Sequence, residues 1–338
     1  MASGGPVSFA NVAQKDQRKL PLRSVQLEGQ VLLKIAQHCA SASSTNVLSG
    51  QLLGLDVGQT LEVTDSFPVP INVAEADSDS ADGEGFQLEM MRCLREINVD
   101  NNMVGWYQSA VSGSYQVVEI IETFINYMEN LERCICIVYD VTAAHSGVPG
   151  VKAIRLADSF VEAYREGALT IEKIRAKGLS WRDVFVEIPI TIHNSPLAVA
   201  LMAEIEGPTA CTQLDFDRLG LGVTPVLEKN VEFLNDCLDD LVDVQGKLSM
   251  YHNQLRRYQQ SVAQWKLARR QENQARRAAG EEPLTEEPPA DIKKPAEPSQ
   301  LENLLLSNQM NSYTSHINAS AAQAVEKLVL TQKLQQAL

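Results

Sequence analysis

The sequence predicts a mixed α/β domain followed by long C-terminal helices, and three observations predict it. Between residues 22 and 210, short β-favouring runs alternate with segments of helical period. Beyond residue 223, an apolar residue recurs at every seventh position from Leu227 to Val262. Five prolines within 280–299 then separate that helix from further apolar-periodic sequence. With 338 residues, 44% of them hydrophobic and 21% charged, the chain has room for one sizeable domain plus extensions.

Residues 1–21 are small, polar and basic without periodicity, and are expected to form a mobile arm. The stretch 25–39 places Val25, Leu27, Val31, Leu32, Ile35, Ala36 and Cys39 close to helical spacing, predicting a helix with one buried face. Two strand-like runs, 49–55 and 60–67, flank the turn Asp56-Val57-Gly58-Gln59 and predict a hairpin with Leu61 and Val63 inward. Residues 71–85 carry five acids among small residues and read as a solvated loop. A helix follows over 86–98 with Phe86, Met90, Leu94 and Ile97 on one face, then a short strand over 103–107 entering a polar turn. The next helix is expected over 116–129. The run 133–139 is almost continuously β-favouring, as in a central strand buried on both faces. Further strands are predicted at 151–156 and 184–192, with a helix or extended excursion at 160–174 between them.

Pro225 suits the first turn of a helix that spans 223–279. Its seam has one column of Leu227, Leu234, Leu241, Leu248, Leu255 and Val262. The partner column begins as Val231 and Leu238, and after a rotation near Gly246 is supplied by Val244, Tyr251, Tyr258 and Trp265. A stripe this long needs partner helices to bury it. Acids crowd the N-terminal half and bases the C-terminal part, the order that suits the helix dipole. After the Pro-rich acidic linker of 280–299, residues 300–338 are expected to hold a second pair of helices, 301–306 and 317–338.

The chemistry-bearing motifs are few. With 29 basic against 43 acidic residues the net charge is −14, which excludes a general affinity for nucleic-acid backbone as the dominant property. No phosphate loop, dinucleotide fingerprint, G-x-S-x-G elbow or H-E-x-x-H occurs, and the five histidines are far apart. The six cysteines form no C-x-x-C pair and read as thiols of a reducing compartment; no apolar run approaches a bilayer span, so a cytoplasmic chain is expected. Cys134 and Cys136 share one strand face, as core residues do, and Glu119 and Glu122 lie on the wet side of their helix. Arg269, Arg270, Arg276 and Arg277 form the one stretch with a plausible RNA or acidic-protein partner.

The segment Gly105-Trp106-Tyr107-Gln108-Ser109-Ala110-Val111, together with Gly50-Gln51-Leu52-Leu53-Gly54 and the run 61–70 upstream, resembles the JAB/MPN family over residues 22–210. Active members hold zinc with two histidines and an aspartate, beside a glutamate base and a serine. Here the histidine positions are Gln108 and Ala110, and an ungapped count puts Val118 and Ile121 at the serine and aspartate positions and Val47 at the glutamate. Losing the imidazoles removes metal, activated water and Lewis acid together, so no catalytic residue, metal or cofactor is expected. Among inactive members, the run 178–190, then Asn194-Ser195-Pro196-Leu197, and the helical tail are most similar to the MPN subunits of eukaryotic translation initiation factor three.

That resemblance implies a non-catalytic structural subunit of a complex that binds the small ribosomal subunit. It would pair with the second MPN subunit through the MPN domain and with other subunits through a shared helical bundle. It would take no small-molecule substrate and touch no membrane. The alternatives are an MPN scaffold of a proteasome-lid or signalosome-like complex, or a zinc isopeptidase with rearranged ligands.

Overall fold

The computed structural model describes residues 21–41, 47–69, 81–97, 102–111, 113–131, 133–145, 150–167, 169–205, 224–279, 285 and 294–337. The expected arm at 1–20, most of the acidic loop and most of the Pro-rich linker lie outside them. So do residues 42–46.

The described part of the chain opens not with the expected helix but with strand β1 (Ser24–Glu28), and helix α1 (Gly29–Ser41) starts only afterwards. Val25 and Leu27 are both fully buried, two residues apart, which is strand spacing; Val31, Ile35 and Cys39 then take up the helical period. The hairpin forms as expected from β2 (Ser49–Val57) and β3 (Thr60–Pro68), with Leu61 and Val63 inward. Helix α2 (Ala81–Glu96) begins inside the segment read as loop, and Ile97, expected on its buried face, is exposed beyond its end. Strand β4 (Met103–Ala110) is longer than predicted, because Ser109 and Ala110 continue its pairing with β5 (Ile135–Asp140). Between them runs α3 (Val118–Asn130).

After β5 come the short helix α4 (Val141–His145) and β6 (Val151–Leu156). The predicted excursion is two helices, α5 (Asp158–Arg165) and α6 (Ile171–Lys177), followed by one 3-10 turn at Trp181–Asp183. The last strand run is divided by Pro189 into β7 (Phe185–Ile188) and β8 (Ile190–His193). The described strands form one sheet in the order β7-β6-β5-β4-β2-β3-β1-β8. Its two ends therefore consist of consecutive strands one residue apart: β7 pairs with β6, and β8 pairs with β1. A proline removes one ladder donor and sits where the strand changes partner, while its carbonyl accepts from Val25 N at 3.0 Å. The two end strands of the sheet are thus joined in sequence through Pro189.

Each face of the sheet has its own core. Trp106, Cys134, Cys136 and Val138 face Ile120, Ile121 and Phe124 of α3 and Phe160 of α5. Tyr107, Ile135, Ile137, Leu52 and Val63 face Val31 and Ile35 of α1. The central strand is buried on both sides, as its composition predicted.

Helix α7 (Pro196–Ile205) leads out of the domain, and the chain resumes as α8 (Thr224–Ala279). The two short helices expected at the C-terminus are one, α9 (Leu301–Ala337). The polar stretch 307–316 contains no glycine or proline and simply continues the helix. Helices α8 and α9 run antiparallel, since Lys247 Nζ meets Glu302 Oε2 at 3.3 Å while Phe233 stacks on Tyr313 at 5.8 Å. The hairpin is built into the domain: Leu301 and Leu305 join the core beside α3. Gln300 N donates to Leu169 O at 3.0 Å, and Ile171 N donates to Glu297 Oε1 at 3.0 Å. Gly113, at φ +75°, lies so close to α9 that a Cβ there would come within 2.8 Å of His316 Nε2.

Candidate functional site

The Gly-Trp-Tyr-Gln-Ser segment is held by packing on every side. At Gly105, β4 approaches β5 so closely that a Cβ would lie 2.0 Å from Ile135 O. Trp106 packs edge-on against Phe124 at 4.4 Å and stacks with Tyr127 at 4.9 Å. Tyr107 points to the opposite core, its hydroxyl 2.9 Å from His38 Nδ1, and burial pushes its phenol well up. Burial also lowers the His38 imidazole. Ser109 fastens the start of β2: its N donates to Leu48 O, and its Oγ accepts from Leu48 N, both at 2.8 Å.

Alternation then puts Gln108 on the Trp106 face, where it opens into a cleft of about 230 Å³. Val47, Ser49, Gln51, Thr123 and Tyr127 share that cleft. Gln51 Nε2 donates to the Tyr127 hydroxyl at 2.5 Å, while Gln51 Oε1 is buried and has no partner among the described residues. Of the five positions taken from the family pattern, the structure brings together Val47 and Gln108. Ala110 is buried in the adjacent core, Ile121 is fully buried under Trp106, and Val118 opens instead onto a different groove at the start of α3. The residue of α3 that faces Gln108 is Thr123, two positions beyond the ungapped count. Neither Thr123 nor Gln51 carried a sequence signal: the first is one hydroxyl on a helix of ordinary pattern, and the second needs the β2–β4 register, Gln51 opposite Trp106.

The chemistry of this donor set does not fit zinc. Among the described residues, two amides, two aliphatic hydroxyls, a phenol, an indole and aliphatic side chains line the cleft, with no imidazole, thiolate or carboxylate. Among the described residues no group of three or more His, Cys, Asp or Glu side chains converges. No step through a metal follows from this arrangement.

The long helices show a different surface. The half-buried stripe of α8 runs through Leu234, Leu241, Leu248 and Leu255 on one column and Val244, Tyr251, Tyr258 and Trp265 on the other. It does not rotate near Gly246. Upstream the second column continues as Asn230 and Cys237, both buried, and not as Val231 and Leu238, which remain 40% exposed. A polar Asn at the buried position hid the true register from a reading of apolar residues alone. Leu227 lies with the exposed pair, and Val242 is 64% exposed on the same side. Residues 227, 231, 238 and 242 therefore form a second apolar stripe that α9 does not cover, flanked by Glu228, Glu232 and Asp239.

The basic end is more engaged than its sequence suggests. Arg269 lies over the Trp265 ring at 5.4 Å, Nη1 pairs with Glu272 at 3.0 Å, and Nε donates to Thr285 O at 3.3 Å. Arg276 is half-buried, whereas Arg270 is exposed together with Arg256, Arg257 and Lys266. The Arg277 side chain lies outside the described residues.

The amino-acid sequence matches the family described as JAB1/Mov34/MPN/PAD-1 ubiquitin protease over residues 21–130, and the C-terminal region of eIF3h over 144–338. It is 51% identical over 330 residues to the H subunit of eukaryotic translation initiation factor 3 from Arabidopsis thaliana, covering 97% of each chain. The chain belongs to the eIF3h family. The counterpart from Nematostella vectensis is 37% identical over 92% of this chain and 94% of its own length, and that from Dictyostelium discoideum 36% over 95% and 97%. Plant, animal and amoebal relatives thus share one initiation-factor name, and none is named for an enzymatic activity; a lid or signalosome subunit is set aside. In this eIF3h chain, accordingly, an MPN domain is combined with an appended helical hairpin. No described helix is long and apolar enough to cross a membrane.

Proposed function

We propose that this chain is a non-catalytic subunit of cytoplasmic initiation factor 3 that holds other subunits of the complex together and supports its binding to the small ribosomal subunit. The observation that carries this reading is the uncovered apolar stripe of α8. A helix of 56 residues, with one apolar stripe closed by α9 and a second left open beside it, is built to receive further helices. The MPN domain offers a second uncovered face. Helix α7 carries a single charged residue, Glu204, yet Leu197 is 83% exposed and Leu201 61%. Asn194, just before α7, accepts from Gly29 N at 3.1 Å, so α7 starts beside α1, whose Leu33 is also exposed. This is the face on which pairing with the second MPN subunit is best supported. The exposed Arg256, Arg257, Lys266 and Arg270 supply the cationic patch for RNA or an acidic protein.

The test is affinity purification of the tagged full chain from its own cells at moderate salt, with mass spectrometry of what accompanies it. Recovery of initiation factor 3 subunits in a large particle, part of it with small ribosomal subunits, is expected. Recovery as a free monomer would overturn the reading.

A further inference from the structure

A groove of about 390 Å³ opens where the start of α3 meets α8 and α9. Its wall is aliphatic: Val117 and Val118 from one side, Val244 from α8, and Leu305 and Leu306 from α9. Its rim is acidic, with Glu119, Asp240, Asp243 and Glu302 against one cation, Lys247. Lys247 is spent on Glu302 at 3.3 Å, and among the described residues no cation pairs with Glu119, Asp240 or Asp243. A second observation is independent of these carboxylates. Gln116, which also lines the groove, is 3% exposed, and among the described residues its Oε1 has no hydrogen-bond partner. A buried amide oxygen left unpaired is costly, and its position behind the groove wall adds to the local excess of acceptors over donors.

We infer that this groove is a docking pocket for an arginine side chain of a partner protein. The aliphatic wall takes the three-methylene stem, and the head meets acceptors only. A guanidinium carries five N–H donors in a fixed plane and is more weakly hydrated than an ammonium, so it can serve two carboxylates together. Such a contact would lock a partner at the joint between the MPN domain and the hairpin, holding the angle between them. Which protein supplies the arginine rests on the assembly reading above; the selectivity of the groove does not.

The experiment uses the full-length chain with isotope-labelled Leu and Val methyl groups, titrated with N-acetyl-arginine amide and followed by NMR. The Val244, Leu305 and Leu306 methyls are expected to shift saturably with the arginine probe and not with the citrulline analogue, which has the same shape without charge. Asp240→Asn with Asp243→Asn should weaken that binding by about tenfold, while Asp236→Asn, outside the groove, leaves it unchanged. All three positions are exposed, so the fold is not at risk. Equal shifts from citrulline would reduce the groove to an apolar cleft and overturn the inference. Equal affinity for N-acetyl-lysine amide, shifts confined to other methyls, or none at all would overturn it too. Because the probe reports on the groove alone, these outcomes are distinct from failure to recover the chain in a complex.

Discussion

Replacing both Val231 and Leu238 by Asp tests whether the second stripe of α8 is an interface. Fully covering a Val or Leu side chain is worth about 1.5–3 kcal/mol. Leu227, Val231 and Leu238 retain 37–40% of their surface and Val242 64%, so covering what remains on all four is worth roughly 3–5 kcal/mol. The double substitution removes about 1–2 kcal/mol of this and places two carboxylates in the contact. Unpaired there, and beside Glu228 and Glu232, each would cost on the order of 1–3 kcal/mol more. Binding to the rest of the complex should fall at least a hundredfold, about 2.7 kcal/mol. The free chain should barely notice, because both positions face water and Asp lowers helix propensity by only about 0.7 kcal/mol each. The assay is co-purification with increasing salt washes, alongside thermal unfolding of the free chain followed by circular dichroism. A variant that keeps its full complement of partners at unchanged salt resistance would refute the reasoning, as would a large loss of helix in the free chain.

Four further outcomes are expected. Leu197→Asp with Leu201→Asp on α7 should release the second MPN subunit while leaving the hairpin contacts, read by mass spectrometry of the purified particle. Charge reversal at Arg256, Arg257 and Arg270 should weaken small-subunit association and flatten its salt dependence, whereas Arg269→Glu should act through stability, because Arg269 holds Thr285 and Glu272. Gly105→Ala should destabilise the domain by several kcal/mol in urea unfolding, since the obstacle is the Ile135 carbonyl and not a movable side chain. Burial pushes the Cys134 thiol up to about 12, Cys39 to about 11 and Cys136 well above its ordinary value. The folded state therefore keeps protons that the unfolded chain loses above about pH 9. Stability should be intact below about pH 9 and fall as pH climbs toward 12, while exposed Cys93 alone among the described cysteines reacts with a thiol reagent near neutrality.

Most of the fold was legible because burial repeats with a period. The hairpin, β4, α3 and the doubly buried β5 all follow from spacing alone. Failures fall where two periods coincide or where one residue outweighs the pattern. Val25, Leu27 and Val31 fit the start of a helix, and only the buried alternation at 25 and 27 separates β1 from α1. Pro189 was invisible as a hinge because both halves of the run are β-favouring, and what divides them is the choice of partner strand, β6 or β1. The α8 register was misread because Asn230 occupies a buried position. None of the cleft beyond Gln108 and Val47 was legible, since it depends on cross-strand register and on the turn of α3 that faces it.

The Gly-Trp-Tyr-Gln-Ser segment can resemble a metalloprotease signature without its chemistry because most of its residues are architectural. Gly105 lets β4 approach β5, Trp106 seats α3, Tyr107 fills the opposite core, and Ser109 clasps Leu48. None of these roles needs a metal. Gln108 and Ala110, which the resemblance sets at histidine positions, carry an amide and a methyl. Gln108 faces a cleft of neutral hydrogen-bonding groups, and Ala110 closes a core. Restoring imidazoles by Gln108→His with Ala110→His would therefore not rebuild a zinc site. The second ring would be forced into packed core, and among the described residues no carboxylate lines the cleft to complete the set. Stoichiometric zinc in that double variant, measured after dialysis against a weak chelator, would show that the cleft is closer to a metal centre than its donors imply.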